Sequence, residues 1–470
     1  MSDTSSFSAI ILAAGKGSRM HTPLPKVVHP VAGRPMIERV VRAVMAAQAR
    51  EVRVVVGFGE SLVRGIVEPM GAACYKQEQQ LGTADAVRSA QPDSLTGDVL
   101  ILNGDHPLME VGDIEKIRRE FKDSRAAMSV VTCELEDPAQ FGRIVRQQGR
   151  LRAIVEVKDA AHETLKIREV NTGIYILKSE TLKMLLPRIR NHNAQGEFYL
   201  TDLVSLAVEG QLNVQAISAD PRVAMGVNTQ KELAAATRMA FTRKAERLMA
   251  SGVMMMQPET AFIEDTVEIE PAAMLYPNVF LKGKTRVGAF SVIESGCVLS
   301  DAKVASNVHI KSGCYIDRSA VGAGVELGPY AHLRPGTDVG ENCKVGNFVE
   351  MKKVKFGKGA KAGHLTYLGD AVIGENTNIG CGTITCNYAV DRKKYVTTIG
   401  KDVFVGSDTQ FIAPVNVGDG AFIGSGSTIT KDVPPGALAV SRVRQTIKEN
   451  YQPKAPEGTD KGASMAKDKK

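Results

Sequence analysis

The hydrophobic pattern changes its period about halfway along the chain, and the first half alternates between strand-like and helix-like segments. Pro35–Ala47 and Gly112–Phe121 carry apolar residues at helical spacing. Short β-branched runs flank these two helical segments. The runs are apolar on both faces, as buried parallel strands are, and they are Ser8–Leu12, Val52–Val56, Val99–Leu102 and Ala127–Val131. This alternation predicts an α/β domain with a mostly parallel sheet, whose ligands lie beyond the carboxyl ends of the strands.

A helical segment follows this domain. Thr229–Ala250 is rich in Ala, Lys, Arg, Glu and Met, which are good helix formers, and it lacks Gly and Pro. We expect one long helix here that connects two domains.

The second half repeats every six residues instead. Aliphatic or aromatic residues recur at this spacing in two long registers: Ile263, Ile269, Leu275, Leu281, Val287 and Ile293, and Ile399, Val405, Phe411, Val417, Ile423 and Ile429. Such a period fits a coil with three flat faces, each contributing one inward residue and a corner that tolerates Gly. About 18 residues per coil and ~4.8 Å per coil predict a parallel β-helix of roughly nine coils, about 45 Å long. The alternative, a β-sandwich with many turns, would not keep this register.

Composition limits the classes of protein that the chain can belong to. The 470 residues are too many for one core, and 43% hydrophobic with 24% charged residues is typical of folded protein. A net charge of +7 suits small anionic substrates. The charge is spread along the chain and does not form the basic stripe that nucleic-acid binding would need. No apolar run approaches the ~18 residues of a membrane span. The polar start, Met1–Phe7, lacks the basic and then apolar segments of a signal peptide.

Cysteine usage points to a reducing compartment. The seven cysteines form an odd set without CxxC pairs, which argues against a disulfide framework and a structural zinc site. We therefore expect a cytoplasmic protein. Beyond Tyr451 the chain turns to Pro, Gly, Lys and Asp, and we expect a disordered tail.

The first candidate site begins at a Gly-rich turn. Ala13-Ala14-Gly15-Lys16-Gly17 follows an apolar strand, so backbone N–H groups there can approach a phosphate or base closely. A plain tight turn is the alternative. Lys26 lies on a stiff Pro-rich loop that follows, and Asp105 comes just after another apolar strand. Because a carboxylate beside a polyphosphate needs a bridging cation, Asp105 is a candidate magnesium ligand.

The second candidate site interrupts the six-residue repeat with chemically active side chains. Arg334 and Lys352 suit a sugar phosphate, through a bidentate fork and a point charge respectively. His364 carries an imidazole, a side chain suited to proton transfer near neutral pH, and could take a proton from an attacking amine. Solvated or structural roles for these residues remain the alternative from this half of the chain alone.

Ordered motifs along the chain resemble a known family. LAAGKGSRM, PLPK, QLGT, NGD, FGRI, EVNTGIY and GVNT are similar to the motifs of sugar-nucleotide pyrophosphorylases. With the hexapeptide repeats, nearly the whole chain resembles bacterial bifunctional enzymes that join an N-acetylglucosamine-1-phosphate uridyltransferase to a glucosamine-1-phosphate acetyltransferase. The resemblance implies a Rossmann-like nucleotidyltransferase domain, a linker helix and a left-handed parallel β-helix. It also implies synthesis of UDP-N-acetylglucosamine, a peptidoglycan and lipopolysaccharide precursor.

The resemblance assigns roles in the first site. Arg19 and Lys26 would act catalytically by neutralising the triphosphate, and Asp105 with Asn228 would share Mg²⁺. The remaining residues would hold UTP and N-acetylglucosamine-1-phosphate: Leu12, Ala13, Ala14, Gly15, Gln77, Gly82, Thr83, Asn103, Gly104, Gly142, Glu156 and Asn171. Asn103 stands where Tyr is frequent in the family, and His106 follows Asp105, which affects only fine contacts to the uridine and its ribose.

The resemblance likewise assigns roles in the second site, with His364 as general base. The residues that would bind glucosamine-1-phosphate are Arg334, Lys352, Tyr367, Asn378 and Lys394, and those that would line the acetyl-CoA site are Cys381, Asn387, Tyr388, Ser407, Ser425 and Arg442. Cys381 replaces a small alanine and adds a thiol near a thioester. About one extra residue precedes Lys393-Lys394, so either lysine could meet the phosphate; we favour Lys394.

These expectations define a domain plan and two competing functions. The plan is a nucleotidyltransferase domain (1–228), a linker helix (229–252), an acetyltransferase β-helix (253–451) and a tail (452–470). The implied partners are the four substrates, including acetyl-CoA, and two further copies of the chain in a homotrimer, with neither nucleic acid nor membrane. The runner-up function keeps only nucleotidyl transfer and uses the β-helix for oligomerisation. A non-enzymatic assembly subunit is a third, less favoured hypothesis.

Overall fold

The computed structural model describes residues 7–453. The prediction about the polar start of the chain lies outside this range apart from Phe7, and the predicted disordered tail lies outside it apart from residues 452 and 453.

The N-terminal domain is built on one main sheet with helices on both faces. Its strands, together with the small hairpin β2–β3, are β1 Phe7–Leu12, β2 Pro30–Val31, β3 Arg34–Pro35, β4 Glu51–Val56, β5 Ala73–Lys76, β6 Asp98–Asn103, β7 Met128–Glu134, β8 Arg143–Gln147, β9 Arg150–Val155, β10 Glu169–Lys178 and β11 Val214–Ser218. The α-helices of the chain are α1 Met36–Ala46, α2 Glu60–Val67, α3 Thr83–Ser89, α4 Val111–Ser124, α5 His162–Leu165, α6 Ser179–Leu185, α7 Asp202–Glu209 and α8 Gln230–Ala250.

Sheet order confirms the α/β prediction and adds antiparallel pairing, through β10 and the β8–β9 hairpin. The path runs β11-β7-β10-β6-β1-β4-β5, and β1 pairs in parallel with both β4 and β6. The four predicted strands are β1, β4, β6 and β7, each within a few residues of the predicted bounds. β10 runs antiparallel between β6 and β7, which strand composition alone does not reveal.

Helix α1 shows how periodicity places the core on one side of the sheet. Its apolar residues at helical spacing, Met36, Ile37, Val40, Val41 and Val44, are all buried. Ile37, Val40, Val41 and Val44 pack with the β-branched residues of β1 and β4 in one hydrophobic cluster, while α3, α6 and α7 cover the opposite face. Burial of this kind stabilises by roughly 25 cal/mol per Å² of apolar surface. Both faces of the sheet are therefore covered, so ligands can bind only at the ends of the strands.

The connecting helix α8 begins with a capping box. The Thr229 hydroxyl accepts from the Glu232 N–H, and the Glu232 carboxylate accepts from the Thr229 N–H. The same carboxylate accepts from the Asn228 N–H at 2.7 Å, so the cap also fixes the residue that precedes the helix. The predicted helix Thr229–Ala250 is found as Gln230–Ala250, with Thr229 as its cap.

The C-terminal half is a parallel β-helix with three short strands per coil. Most strands pair with the strand three further on, usually 17 or 18 residues later, as in Phe262 opposite Phe280 and Lys303 opposite Ala320. Two 13-residue strands, Lys344–Phe356 and Lys361–Ile373, each run through a whole coil and pair with each other. The strands are β12 Met254–Met255, β13 Phe262–Ile263, β14 Glu268–Ile269, β15 Met274–Leu275, β16 Phe280–Lys282, β17 Arg286–Val287, β18 Val292–Ile293, β19 Val298–Ser300, β20 Lys303–Val304, β21 His309–Ile310, β22 Tyr315–Asp317, β23 Ala320–Val321, β24 Glu326–Leu327, β25 His332–Arg334, β26 Asp338–Val339, β27 Lys344–Phe356, β28 Lys361–Ile373, β29 Asn378–Ile379, β30 Ile384–Cys386, β31 Thr397–Ile399, β32 Phe404–Val405, β33 Gln410–Ile412, β34 Val415–Val417, β35 Phe422–Ile423, β36 Thr428–Ile429 and β37 Leu438–Ala439.

The six-residue registers are the inner column of this β-helix. All twelve residues of the two predicted registers are buried, and they join a single hydrophobic cluster that runs through the coils. One coil departs from the usual length: Ala371 pairs with Thr397, 26 residues later. The additional residues form a loop outside the coil, between Cys386 and Thr397.

One ion pair and three hydrogen bonds tie the first coil to α1, α8 and the β2–β3 hairpin. Arg39 of α1 forms an ion pair with Asp265 of the first coil, and the Asp265 N–H donates to the Ala32 carbonyl. Lys244 of α8 donates to the backbone carbonyls of Asp265 and Val267. Within residues 7–453, no helix is long and apolar enough to cross a lipid bilayer.

Candidate active sites

The first site lies where β1 and β6 end side by side. Leu12 pairs with Asn103, the last residues of the two strands, and the Gly104 N–H donates to the Leu12 carbonyl at 2.9 Å. The Gly-rich turn after β1 and the Asn103-Gly104-Asp105 segment after β6 are therefore neighbours. This is the position that the parallel sheet predicts for a ligand.

Gly17 allows the Lys26 loop to approach the turn. Its φ of 65° is in the left-handed region, and a Cβ built on it would lie 2.5 Å from Lys26 Cβ. A residue with a side chain would be strained there and would displace the lysine. Gly17 thus brings the ammonium group of Lys26 to the end of β6.

Lys26 meets two oxygen-bearing side chains at that point. Its Nζ donates to Asp105 Oδ2 and, at 2.8 Å, to Asn228 Oδ1. Burial acts to raise the pKa of Asp105, but the charges of Lys26 and His106 and the hydrogen bonds to the carboxylate together hold that pKa below its usual range. His106 lies buried behind the carboxylate, and burial lowers its pKa.

The donor set at this point suits a divalent cation. The carboxylate of Asp105 and the amide oxygen of Asn228 converge on the cationic nitrogen of Lys26, so both oxygens face one point. Hard oxygen ligands of this kind fit Mg²⁺, which takes one or two protein ligands and completes its shell with phosphate and water oxygens. No group of three or more His, Cys, Asp or Glu side chains gathers as a metal site among residues 7–453.

Two cavities meet at Asp105. The first, about 370 Å³, is lined by Leu12, Ala13, Ala14, Gly15, Lys26, Val27, Gln77, Gln80, Gly82, Thr83, Ala86, Asn103, Asp105 and Glu197. The second, about 250 Å³, shares Leu12, Thr83, Asn103 and Asp105, and adds His106, Gln140, Phe141, Gly142, Glu156, Asn171, Thr172, Gly173, Tyr175, Leu200, Thr201, Gly226 and Asn228. Two bound groups could therefore meet beside one carboxylate.

A hairpin positions the residues of the second cavity. Gly142 directly precedes β8 and Glu156 directly follows β9, so the paired strands bring these two residues together. The Asn171 N–H donates to the Gly142 carbonyl at 2.9 Å, and the Asn171 amide group donates to the Tyr175 hydroxyl at 2.8 Å. Burial, and then Asp159 and Asp202, raise the pKa of Glu156. A poorly solvated carboxyl group is thus available to sugar hydroxyls.

Two residues expected at the first site lie elsewhere around it. Arg19 is exposed and lines neither cavity among the described residues, although its short helical turn, Ser18–Met20, follows the Gly-rich turn. Gly104 lies beneath the cavities, where a Cβ would be 2.8 Å from Ile37 Cδ1. The other eleven residues expected to hold the two substrates, together with Lys26, Asp105 and Asn228, line one or both cavities.

Some residues that line the two cavities were not predicted from the sequence. Gln80 donates to the Ala14 carbonyl at 2.7 Å and so joins the QLGT segment to the Gly-rich turn. Glu197 and Tyr175 also line the cavities. The quoted motifs QLGT and EVNTGIY contain Gln80 and Tyr175, so position within a motif could have revealed both residues.

The second site is organised around one corner of the β-helix. His364 and Asn347 are in register on β28 and β27, each two residues past an inward side chain. His364 Nδ1 lies 2.5 Å from Asn347 Oδ1. Because this oxygen accepts, Nδ1 carries the ring hydrogen and Nε2 is left with its lone pair. Asn347 is not among the residues predicted from the sequence, although the stacked Gly346-Asn347 and Gly363-His364 pairs mark one corner.

The same corner continues through the expected acetyl-CoA residues. Ile379, Val405 and Ile423 are in register on β29, β32 and β35, and the residues two positions further on are Cys381, Ser407 and Ser425. The Arg442 guanidinium donates to the Ser425 carbonyl at 2.8 Å. A row of small side chains thus leads from the imidazole towards the end of the β-helix.

Three cations gather on the face that follows this corner. Arg334 and Lys352 are in register on β25 and β27, and Arg334 forms a 2.7 Å ion pair with Glu350. The adjacent Lys394 side chain, and then the Arg334 charge, lower the pKa of Lys352. Like charges lower the pKa of a lysine only when they lie close, so an anion here would be stabilised by several cations. Tyr367 lies in register with Glu350 on the same face.

The extra loop supplies Lys394. Tyr388 pairs with Lys394 as an antiparallel bridge, and the Ala389 N–H donates to the Lys393 carbonyl at 3.0 Å. Asn387 donates to Asp370, which fixes the start of the loop against β28. A tight hairpin therefore turns Lys394, rather than its neighbour, towards Lys352.

Asn378 does not share this face. It lies on β29, in register with Lys361 at the start of β28, on the face that precedes the His364 corner. Tyr367, Lys352 and Arg334 lie on the face that follows it. A single chain therefore separates Asn378 from the other residues expected to bind the acetyl acceptor.

Comparisons with known proteins agree with this pair of sites. The profile of the MobA-like NTP transferase domain matches residues 9–166, and that of the bacterial transferase hexapeptide (six repeats) matches residues 318–353 and 397–431. A "Bifunctional protein GlmU" of Bdellovibrio bacteriovorus is 59% identical over 454 residues, which cover 97% of this chain and 99% of the relative. Proteins of that name from Pelobacter propionicus and Trichlorobacter lovleyi are 45% and 44% identical, over 95% and 94% of this chain and 98% and 97% of the relatives.

The fold and the two sites define a two-domain transferase, with a nucleotidyltransferase domain followed by a hexapeptide-repeat acyltransferase domain. The chain belongs to the family of bifunctional GlmU proteins. It is an enzyme with uridyltransferase and acetyltransferase activities, as the sequence predicts.

Proposed function

We propose that the β-helix first acetylates glucosamine-1-phosphate and that the N-terminal domain then joins the product to the uridylyl group of UTP. In the first reaction the sugar amine attacks the thioester carbonyl of acetyl-CoA, a C–N bond forms, and the C–S bond breaks. In the second reaction a phosphate oxygen of N-acetylglucosamine-1-phosphate attacks the α-phosphorus of UTP, and pyrophosphate leaves. The chain thereby makes UDP-N-acetylglucosamine.

The observation that carries acetyl transfer is the position of His364 at the head of the corner row. Its Nε2 faces away from the Asn347 contact and would take the proton that the attacking amine loses. Cys381, Ser407 and Ser425 would line the acetyl-CoA site along the row, with Arg442 near its end. Asn387 and Tyr388 would contact the same substrate from the base of the loop.

The cation group on the adjacent face would bind the phosphate of the acceptor. Arg334 would offer a guanidinium fork, and Lys352 and Lys394 would offer point charges, with Tyr367 beside them. The effect of the Lys394 side chain on the pKa of Lys352 supports Lys394, rather than Lys393, as the phosphate ligand. Electrostatic positioning of this kind holds the amine within reach of His364.

A homotrimer would complete the site. The separation of Asn378 from Tyr367 and Lys352 supports a shared site, in which one chain contributes Asn378 and its neighbour contributes the cations. An exposed apolar ridge beside His364 supports the same arrangement: Tyr330, Phe348 and Leu365 occupy one corner of successive coils and are 57%, 55% and 58% exposed. Apolar ridges of this size mark surfaces that another chain covers.

The observation that carries uridylyl transfer is the convergence of Lys26, Asp105 and Asn228 where the two cavities meet. The uridine and phosphates would occupy the first cavity, and the acetylated sugar would bind Gly142, Glu156 and Asn171 in the second. Lys26 would neutralise the phosphates as the two anions approach, since charges ~4 Å apart repel by about 4 kcal/mol at an effective dielectric near 20. Arg19, from the neighbouring turn, would extend over the triphosphate.

Asp105 and Asn228 would hold Mg²⁺ when the substrates bind. The ion would supply Lewis-acid polarisation of the phosphate oxygens and screening of their charge. Lys26 would then donate to phosphate oxygens, because its present partners would be engaged by the ion. The protein groups act by binding and orienting both anions, so the reaction needs no protein nucleophile.

The domain limits and the location of the protein are part of the proposal. The capping box at Thr229 supports a boundary after residue 228, and the start of the β-helix at Met254 supports one after residue 252, with the β-helix domain extending to residue 451. The seven cysteines, all within the described residues, carry free thiols. Such thiols support a reducing, cytoplasmic location.

A two-stage assay on the purified full chain tests this function. Glucosamine-1-phosphate with acetyl-CoA should lose its free amine without UTP. N-acetylglucosamine-1-phosphate with UTP should release pyrophosphate only when Mg²⁺ is present. Pyrophosphate release from UTP and glucosamine-1-phosphate at an equal rate without acetyl-CoA would contradict the proposed order.

A further inference from the structure

The amide group of Gln77 is fixed in one orientation. Its Nε2 donates to Asp85 Oδ2 at 2.8 Å and to the Gly82 carbonyl at 3.2 Å. Both partners can only accept a hydrogen bond, so the nitrogen end of the amide must face them. Gln77 is 6% exposed, which leaves the side chain little room to turn over.

This orientation presents an acceptor to the nucleotide cavity. Gln77 lines that cavity, and within residues 7–453 no hydrogen bond reaches its Oε1. A carbonyl oxygen that faces a bound base recognises a ring N–H and repels a ring nitrogen lone pair. Uracil carries N3–H at its pairing edge, whereas cytosine carries a lone pair at N3.

We propose that Asp85 is a positioning residue that selects uracil over cytosine by fixing the Gln77 amide group. This inference rests on the proposed function, in which the uridine base lies against Gln77. Asp85 does not itself line the cavity among the described residues, so it acts through Gln77. It selects the base by denying the amide its opposite orientation, in which Nε2 would donate to the cytosine N3.

The surroundings of Asp85 make it a rigid support. It lies in the first turn of α3, and that helix is anchored where the Ala84 N–H donates to the Phe198 carbonyl at 2.9 Å. Gly82, which precedes the helix, has a φ of 121°, and a Cβ there would lie 2.6 Å from the Phe198 carbonyl oxygen. The backbone around the Gln77 contact therefore cannot move away without breaking the packing between these two segments.

The test compares kcat/KM for UTP and CTP in three proteins. Asp85→Ala removes one of the two acceptors, and we expect the UTP/CTP ratio to fall about tenfold, the effect of one hydrogen bond worth ~1.4 kcal/mol. Asp85→Asn can either accept or donate at the same place, so it also no longer forbids the opposite Gln77 orientation, and we expect its ratio to fall in the same direction as that of Asp85→Ala. An unchanged ratio in Asp85→Ala overturns the proposal.

Two controls separate this result from a folding defect and from failure of the proposed function. Acetyl transfer should be unchanged in Asp85→Ala, because that site lies in the other domain. Gln77→Ala should raise KM for UTP, and an unchanged KM would show that the base does not lie against Gln77, which overturns the placement as well. If Gln77→Ala raises KM while Asp85→Ala leaves the ratio unchanged, only the role of Asp85 fails.

A double variant gives a readout that a structural role would not produce. In the Gln77→Ala background, Asp85→Ala should leave the UTP/CTP ratio unchanged, because no amide group remains to be oriented. A further fall in the ratio would show that Asp85 acts by another route and would overturn the inference.

Discussion

Asn347 and His364 occupy one corner of successive coils, and Asn347 Oδ1 lies 2.5 Å from His364 Nδ1. The contact fixes both the tautomer and the orientation of the imidazole ring, so that Nε2 is the nitrogen free to accept a proton. Asn347 is thus the partner that prepares His364 for general-base work.

Replacing Asn347 should therefore alter catalysis without altering substrate binding. Asn347→Ala should lower kcat for acetyl transfer about tenfold, with little change in KM, because the ring loses one hydrogen bond worth ~1 kcal/mol and its orientation. Asn347→Asp should move the acid limb of the pH profile to higher pH, because a carboxylate favours the protonated imidazole. Steady-state kinetics of acetyl transfer between pH 5 and pH 9 would check both predictions. A pH profile that is the same in Asn347→Asp as in the unmodified chain would contradict the contact.

The two neighbouring lysines of the loop should behave differently. Lys394 lies close enough to Lys352 to lower its pKa, whereas Lys393 forms the backbone side of the hairpin. Lys394→Ala should raise KM for glucosamine-1-phosphate by roughly 10- to 100-fold, the range for a hydrogen bond to a charged group. Lys393→Ala is the matched control, with KM within about threefold of the unmodified chain. Equal effects of the two substitutions would refute the assignment.

Gly17 offers a test of how Lys26 reaches the first site. Gly17→Ala should lower uridylyl transfer about 100-fold, because the new Cβ lies 2.5 Å from Lys26 Cβ and displaces the ammonium group. Gly149→Ala shares the left-handed backbone, with φ of 77°, but its Cβ meets nothing within 4 Å. It should therefore show only the backbone cost of roughly 1 kcal/mol in stability, with normal uridylyl transfer. Normal turnover in Gly17→Ala would remove the steric argument.

Glu156 predicts a pH-dependent change in stability. Burial raises its pKa in the folded protein, so its contribution to stability is fully present below the unfolded pKa and is lost as pH rises through the folded pKa. Glu156→Gln cannot ionise and should raise the urea midpoint at pH 7 to 8, but not below about pH 4, near the unfolded pKa. Urea titrations at the two pH values measure the difference. A gain at acidic pH that equals the gain at neutral pH would contradict the burial argument.

The β-helix could be predicted from the sequence because its core repeats. A residue such as Val405 or Phe411 must point inward once per face, and the six-residue spacing records this directly. The strands β1 and β6 could be predicted because they are apolar on both faces. The long-range pairing of β10 between β6 and β7 depends on contacts across the sheet, which local pattern does not carry.

The sites were predictable in composition but less so in arrangement. Lys26 and Asp105 could be paired, because both follow strand ends that meet at one edge of the sheet. The separation of Asn378 from Tyr367 could not be predicted, because it depends on which face of the coil each strand occupies. No sequence pattern indicated a role for Asp85, because its contact with Gln77 follows from the fold of the turn between β5 and α3.

The two active sites act independently of each other, and one paired measurement tests this most directly. Acetyl transfer and uridylyl transfer are assayed separately in Asp105→Asn and in His364→Ala. Asp105→Asn should lower uridylyl transfer 100-fold or more and leave acetyl transfer normal, since it removes a charge at the centre of the first site. His364→Ala should lower acetyl transfer 10²- to 10⁴-fold and leave uridylyl transfer normal. Loss of both activities in either folded variant would contradict the account.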